Sequence, residues 1–123
     1  MPAPIPLPEY VYKIVPEASL DPLPSTLPLS ALDAKDGFIH LSTADQIPAT
    51  AGRFFSQYNS LSLLKIPLAR IEKKVKWEES SSGCFAHLYG ADISRKEVVE
   101  SKDFKKKDTD EWTKVLEKDA WLY

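Results

Sequence analysis

The two histidines of the chain lie in short segments that alternate apolar and polar residues. His40 stands in GFIHLST and His87 in CFAHLYG, and a hydroxyl side chain follows each two residues later, Ser42 and Tyr89. Strand geometry places residues i and i+2 on one face. A buried imidazole needs hydrogen-bond partners for both ring nitrogens. If the two strands are neighbours, the sequence predicts a polar pocket; the alternative is two separately satisfied core histidines.

Two further residue groups could supply charge to such a pocket. Glu78 and Glu79 follow Trp77, and on a regular strand only one of them can line the same wall. If Trp77 is a core residue, Glu79 shares its face and Glu78 points away from it. Arg53 is either a solvated charge or a clamp for a phosphate or carboxylate, because its planar fork suits both.

Other kinds of chemistry have little support in the sequence. The four glycines form no phosphate-binding loop of the P-loop or dinucleotide type. Cys84 is the only cysteine and has no adjacent cation, so a nucleophilic role is disfavoured. Two histidines and a glutamate could form a facial metal triad, but their spacing matches no metal signature, and no metal is expected.

Length and charge bound the class of protein. The 123 residues suit one domain, and 18 acidic against 16 basic residues do not favour general nucleic-acid binding. No apolar run approaches the roughly 20 residues that span a bilayer. The N-terminus resembles neither a secretory signal nor a transit peptide. We therefore expect no membrane partner and a location in the cytoplasm, or in cytoplasm and nucleus.

Strand-forming patterns recur along the chain. Pro16 ends the first of these strands, and the proline-rich stretch from 16 to 36 is interpreted as an irregular wrap over the core. The predicted strands are Tyr10–Val15, Phe38–Ser42, Leu61–Pro67, Lys73–Glu79 and Cys84–Tyr89, with a short one at Val98–Val99.

Two amphipathic helices are predicted. Asp45 is the expected N-cap of the first, which leaves Pro48 in the first turn, where its missing N–H costs nothing. The second spans 108–118, with Asp108 and Glu111 spaced as a capping box. The expected buried stripe of the first helix is Ile47, Ala51, Phe54, Phe55 and Tyr58; that of the second is Trp112, Val115 and Leu116, with Trp121 and Leu122 packing back beyond it.

These elements divide the chain into three parts. Residues 1–9 form a proline-rich arm, 10–100 a single α+β core domain, and 101–123 a C-terminal extension whose helix packs on the core. The alternating prolines of the arm suit an extended conformation. The arm is interpreted as a tail along the body, with docking to a partner protein as the alternative.

Four blocks in this order carry a family resemblance: GFIHLSTADQIPATAGRFF, LSLLKIPLAR, VKWEE and FAHLYG. Between Tyr10 and Val99 the chain resembles the domain of unknown function 952 family. The proline-rich region after the first strand and the segment 101–123 depart from the shorter family pattern. The resemblance implies a fold similar to that of ADP-ribosyltransferases: α+β, with a split, mostly antiparallel sheet and few helices around an NAD-binding cleft.

The same resemblance implies roles for individual residues. His40 matches a histidine that contacts an NAD ribose, with Ser42 and Thr43 beside it. Glu78 matches the glutamate after tryptophan, and His87 and Tyr89 match the HLYG block.

The leading hypothesis is binding of NAD, ADP-ribose or a related nucleotide, with ADP-ribosyl transfer as the chemistry. His40 would orient a ribose, Glu78 would stabilise a developing cation, and His87 would act as general acid or base. The expected ligand contacts are Ser42, Thr43, Tyr89 and, for an anionic group, Arg53. No covalently bound cofactor is expected, and NAD would be a substrate. The alternatives are a catalytically inactive ligand-binding module and a protein-interaction domain.

Overall fold

The computed structural model describes residues 3–16, 26, 30–80 and 83–122. Within these residues the chain forms short helices and antiparallel strands, with 3-10 turns between some of them. In chain order the elements are β1 Tyr10–Pro16, α1 Ala31–Asp36, β2 Ile39–Leu41, α2 Ile47–Phe54, β3 Ser60–Pro67, β4 Val75–Ser80, β5 Gly83–Leu88, β6 Glu100–Lys105 and α3 Trp112–Leu116.

The strands form two sheets that meet at one point. The first has the order β1-β3-β6 and the second β2-β5-β4, and each of these pairings is antiparallel. Tyr12 and Ser42 join the sheets through two backbone hydrogen bonds of 2.7 and 3.0 Å. The predicted α+β class, with a split, mostly antiparallel sheet and few helices, is confirmed.

Strands β1 and β3 of the first sheet are buried on both faces. Leu61 and Leu63 of β3 pack with α2 and α3, whereas Ile66, on the opposite face, packs towards the second sheet. A strand buried on both sides reads as a continuous apolar run, which is why LSLLKIP predicts a central strand correctly. The second sheet buries only one face on this core, through Ile39, Leu41, Ala86 and Leu88. Its other face carries the polar side chains.

Helix α1 lies in the stretch for which an irregular wrap is predicted. The Ser30 hydroxyl accepts a hydrogen bond from the Asp33 N–H, and Gly37, at φ +80°, ends the helix. Six residues are too few to show a helical period, and so short a helix depends on tertiary contacts. The prediction is therefore wrong for 31–36, and residues 17–25 and 27–29 lie outside the described residues.

The start of α2 also differs from the prediction. A 3-10 turn at Ala44–Gln46 precedes the helix, and the Gln46 side-chain oxygen accepts from the Thr43 N–H at 3.0 Å. Asp45 accepts from the Thr43 hydroxyl at 2.6 Å instead of capping α2. Pro48 does lie in the first turn, as expected. Ile47 and Ala51 are buried, but the helix ends at Phe54, whose side chain is exposed.

The last strand and helix are displaced from their predicted ranges. The strand runs over Glu100–Lys105 instead of Val98–Val99. The sequence does not reveal it, because only Phe104 of this edge strand is buried and its residues show little apolar alternation. Helix α3 starts at Trp112, with Glu111 at the N-cap and no side-chain cap bond. Asp108 contacts the Asn59 amide, so the predicted capping box is wrong. The burial of Trp112, Leu116 and Leu122 is confirmed.

Residues 101–123 supply most of β6, all of α3 and a core leucine. The division at residue 100 stays a prediction. No helix in the described ranges is long and apolar enough to span a membrane.

The close approach of α2 and α3 at Gly52 predicts that Gly52→Ala changes the stability in opposite directions with and without the Thr113 side chain. A Cβ at Gly52 would overlap the Thr113 hydroxyl. Gly52→Ala should therefore destabilise the wild type by about 1–3 kcal/mol through overpacking. In a Thr113→Ala background the overlap is gone, and helix propensity makes the same change stabilising by up to about 1 kcal/mol. Urea unfolding of the four proteins checks this; the same sign in both backgrounds would contradict it.

Candidate functional site

The two histidines lie directly opposite each other on β2 and β5. Their ring centroids are 5.3 Å apart, with the planes at 66°. The Phe38 ring stacks on His87 at 4.2 Å and lies 4.6 Å from His40 and 5.0 Å from Tyr89. The predicted juxtaposition of the imidazoles on one wall is confirmed. We call the outer surface formed by Phe38, His40, Glu78, His87 and Tyr89 the histidine face.

The buried carboxylate of Asp33 holds the His40 side chain and backbone in place. Asp33 Oδ1 accepts from the His40 backbone N–H at 3.2 Å and lies 2.6 Å from His40 Nδ1. Its Oδ2 lies 2.6 Å from Lys13 Nζ, which also donates to the His40 carbonyl at 3.3 Å. Burial alone would raise the pKa of Asp33, but His40 and Lys13 outweigh it and hold that pKa at about 2. Because Asp33 is an ionised acceptor, Nδ1 of His40 is the donor.

Because the pKa of Asp33 is lowered in the folded protein, the free energy of unfolding depends on pH in the acid range. An unfolded aspartate titrates near ~3.9, so between about pH 4 and pH 2 the unfolded chain binds a proton at Asp33 that the folded chain does not. The contribution, about 2 kcal/mol, is present above pH ~4 and is lost as the pH falls through about 2.

We therefore expect the pH dependence of the unfolding free energy over that window to be weaker in Asp33→Asn than in wild type. Urea titrations at stepped pH measure the two slopes. Asp92→Asn, a change at an exposed carboxylate, is the control, and equal slopes in wild type and Asp33→Asn would contradict the assignment.

A second carboxylate covers the other nitrogen of His40. Asp36 Oδ2 lies 3.0 Å from His40 Nε2. Asp36 is the last residue of α1, and the left-handed conformation of Gly37 turns the chain directly after it. The Asp36 side chain is 34% exposed, against 2% for Asp33. His40 is thus held between one buried and one accessible carboxylate.

His87 has its own carboxylate partner on β4. Glu78 Oε1 lies 2.9 Å from His87 Nδ1 and accepts from the Tyr89 hydroxyl at 2.5 Å. The hydrogen bonds from Tyr89 and His87 lower the pKa of Glu78, and the same Glu78 contact raises the pKa of Tyr89. Glu78 is therefore ionised at neutral pH and orients both side chains.

The structure resolves the choice between the two glutamates. Trp77 packs on the core between the sheets, so the histidine face lies on the opposite side of β4. Glu78 points to that face, and Glu79 is exposed. Lys76, two residues before Glu78, pairs with His87 across the strands, and its Nζ lies 4.9 Å from the Tyr89 ring centroid.

Three residues that are predicted to contact the ligand make their described contacts away from the histidine face. Ser42 is buried; it follows β2 directly and pairs with Tyr12 of β1 instead of with β5. Thr43 is bonded to Asp45 and Gln46. Arg53 lies on α2, with its guanidinium 5.5 Å from the Phe54 ring centroid, and α2 packs on α3. Their assignment as ligand contacts stays a prediction.

The N-terminal arm lines a groove next to Thr43. The groove encloses about 430 Å³ and is lined by Pro4, Pro6, Pro8, Thr43, Asp45, Gln46 and Cys84. The Gln46 amide donates to the Cys84 carbonyl at 2.6 Å and joins the two walls. These contacts agree with an arm that lies along the body.

Sequence reasoning missed four charged residues of the site. Asp33 and Lys13 reach His40 from α1 and β1, and nothing in their local pattern indicates this. Asp36 precedes His40 by four residues, which alone is a weak signal. Lys76 could have been found, because it alternates with Glu78 along the predicted strand.

The resulting site contains groups that can exchange protons. Two imidazoles, each oriented by a carboxylate, have the arrangement of general acids and bases. Within the part of the chain that the structure describes, no three His, Cys, Asp or Glu side chains are placed to hold a metal ion.

The bond between Tyr89 and Glu78 predicts a titration shift. Tyr89→Phe removes the hydroxyl that donates to Glu78, so the pKa of Glu78 should rise towards its ordinary value. Carbon-13 NMR of the glutamate carboxyl groups measures this. Tyr58→Phe is the control, and a Glu78 pKa that is the same in wild type and Tyr89→Phe would contradict the assigned cause.

Comparison with known proteins places the chain in a family. A profile described as "Protein of unknown function (DUF952)" matches residues 17–101. The crystal structure of protein CC0527 from Caulobacter crescentus is similar, with 34% identity, a TM-score of 0.67, and coverage of 76% of this chain and 84% of that one. The solution NMR structure of CC0527 has 33% identity, the same TM-score, and coverage of 80% and 87%. A comparison with curated proteins found no match. The chain therefore belongs to the DUF952 family of proteins of unknown function.

Proposed function

We propose that the histidine face binds a nucleotide of the NAD or ADP-ribose class and that the fold is ADP-ribosyltransferase-like. The observation that carries the proposal is the pair of carboxylate-anchored imidazoles with ring centroids 5.3 Å apart. Anchoring through Nδ1 turns Nε2 of each ring towards a ligand, although Nε2 of His40 also contacts the accessible carboxylate of Asp36, which the ligand would have to displace. Phe38 adds an aromatic surface beside both rings, which suits a planar base.

The chemistry that this arrangement supports is cleavage of the bond between the ribose C1′ and nicotinamide. The bonding electrons leave with the nicotinamide nitrogen, and positive charge develops at the ribose. An ionised carboxylate stabilises such a centre, and hydrogen bonds from Tyr89 and His87 keep the pKa of Glu78 low. Water or another acceptor then bonds to C1′, and His87 takes the proton that this attacking group releases.

His40 has a binding role in this proposal. Its ring is fixed through Asp33, so its Nε2 can hydrogen-bond to a ribose or phosphate oxygen without losing orientation on binding. His87 has the proton-transfer role, which its contact through Nδ1 with Glu78 supports by orienting the ring.

Calorimetric titration with NAD and ADP-ribose, together with an assay for released nicotinamide, tests the proposal. We expect His40→Ala to weaken binding about tenfold or more, as loss of a charge-assisted hydrogen bond would. Glu78→Gln should remove nicotinamide release and largely retain binding. Glu79→Gln is the matched control, because it makes the same change one residue away at an exposed position.

The outcomes separate the hypotheses. The absence of heat with both nucleotides would overturn the proposal, as would equal effects of Glu78→Gln and Glu79→Gln on turnover. Binding that depends on His40 without nicotinamide release would select the non-catalytic ligand-binding module instead.

A further inference from the structure

The contact between His40 and Asp36 points to an anion subsite. We infer that His40 Nε2 is the binding point for a phosphate-type oxyanion of the ligand, and that Asp36 occupies this point in the free protein. The inference deepens the proposed function, on which it rests, because it names the chemical group that the histidine face takes.

The first step is the contact on the outer nitrogen of the imidazole. Asp33 holds Nδ1 of His40 at 2.6 Å, and Asp36 Oδ2 lies 3.0 Å from Nε2. The outer nitrogen therefore faces an oxyanion that belongs to the chain itself, at a point where an oxyanion of a ligand could lie instead.

The second step compares the two carboxylates. Asp33 is buried and shared by His40 and Lys13, so removing it would strand buried charges. Asp36 is one-third exposed, and an ion pair of that kind adds little stability. Its place in the last turn of α1 is also unfavourable for a carboxylate, because the C-terminal end of a helix carries partial negative charge. Of the two, Asp36 is the one that a ligand can displace.

The third step concerns what would replace it. The replacement must present an oxygen to Nε2, as Asp36 does. Lys76 supplies a positive charge on the same face, and the Asp33 carboxylate that holds the ring is already paired with Lys13. Glu78 is engaged by His87 and Tyr89. A phosphate-type oxyanion meets these requirements, and its multiple oxygens can reach more than one donor.

Titration with inorganic phosphate, followed by NMR of the His40 imidazole, tests the inference. Asp36→Ala removes the internal competitor and should bind phosphate about fivefold more tightly than wild type, the gain expected from losing an exposed ion pair. Glu117→Ala is the matched control, because it removes the same charge from an exposed position at the end of α3. It should change the affinity less than about twofold. The double variant Asp36→Ala/His40→Ala should lose the gain.

Three results would overturn the inference: no tighter binding in Asp36→Ala, an equal gain in Glu117→Ala, or a gain that persists without His40. Circular dichroism of each variant establishes that it is folded. Failure here is distinct from failure of the proposed function. NAD or ADP-ribose that binds through His40 without any effect of Asp36→Ala would leave that function standing and remove only the Asp36 subsite.

Discussion

Replacing Asp33 with alanine is expected to lower the free energy of unfolding by about 3–5 kcal/mol, the loss typical of breaking a buried ion pair by removing one partner. Lys13 would keep a buried ammonium group without its carboxylate, and His40 would lose the acceptor of its ring and backbone N–H groups. Burial already lowers the pKa of Lys13 despite the nearby Asp33, which indicates how much this lysine depends on its partner. Chemical unfolding with urea measures the loss.

Two variants separate the buried charge from other effects. Lys13→Met in the Asp33→Ala background removes the stranded ammonium group and should recover a large part of the loss, since apolar replacements of buried pairs are often tolerated. Asp36→Ala, which removes the accessible carboxylate, should cost less than about 1 kcal/mol. Similar losses for Asp33→Ala and Asp36→Ala would contradict the distinction between the fixed and the displaceable carboxylate.

The second large effect is expected at Trp112. Its side chain is 1% exposed within the core of the first sheet, and its indole N–H faces the carbonyls of Phe55 and Tyr58 at 3.1 and 2.9 Å. Trp112→Ala should lower the free energy of unfolding by about 3–5 kcal/mol through the cavity and the lost contacts. Trp112→Phe keeps most of the apolar contact and should cost about 1–3 kcal/mol for the carbonyls left without the indole donor.

The same experiment tests how the segment after residue 100 contributes to the domain. Lys114→Ala, at an exposed position on α3, is the control and should stay within about 0.5 kcal/mol of wild type. If Trp112→Ala were as stable as Lys114→Ala, then α3 would not be part of the cooperative core, and the packing of Trp112 with Leu61 and Leu116 would be energetically unimportant.

The sequence alone determined which side chains share a face. Period-2 alternation on GFIHLST and CFAHLYG predicts that each histidine points away from the apolar residues on either side of it, because successive side chains on a strand take opposite faces. The β3 run predicts a strand buried on both sides for the same reason. These features are local, so they can be read without knowing which strands are neighbours.

Only the tertiary structure decided what those faces meet. The pairing of β2 with β5 sets His40 opposite His87 across nearly fifty residues of chain, and the packing side of Trp77 selects Glu78 over Glu79. Asp33 and Asp36 come from a six-residue helix that is too short to show a period, and Lys13 comes from a strand of the other sheet. Such partners depend on long-range packing and loop closure, which a local pattern of residues does not encode.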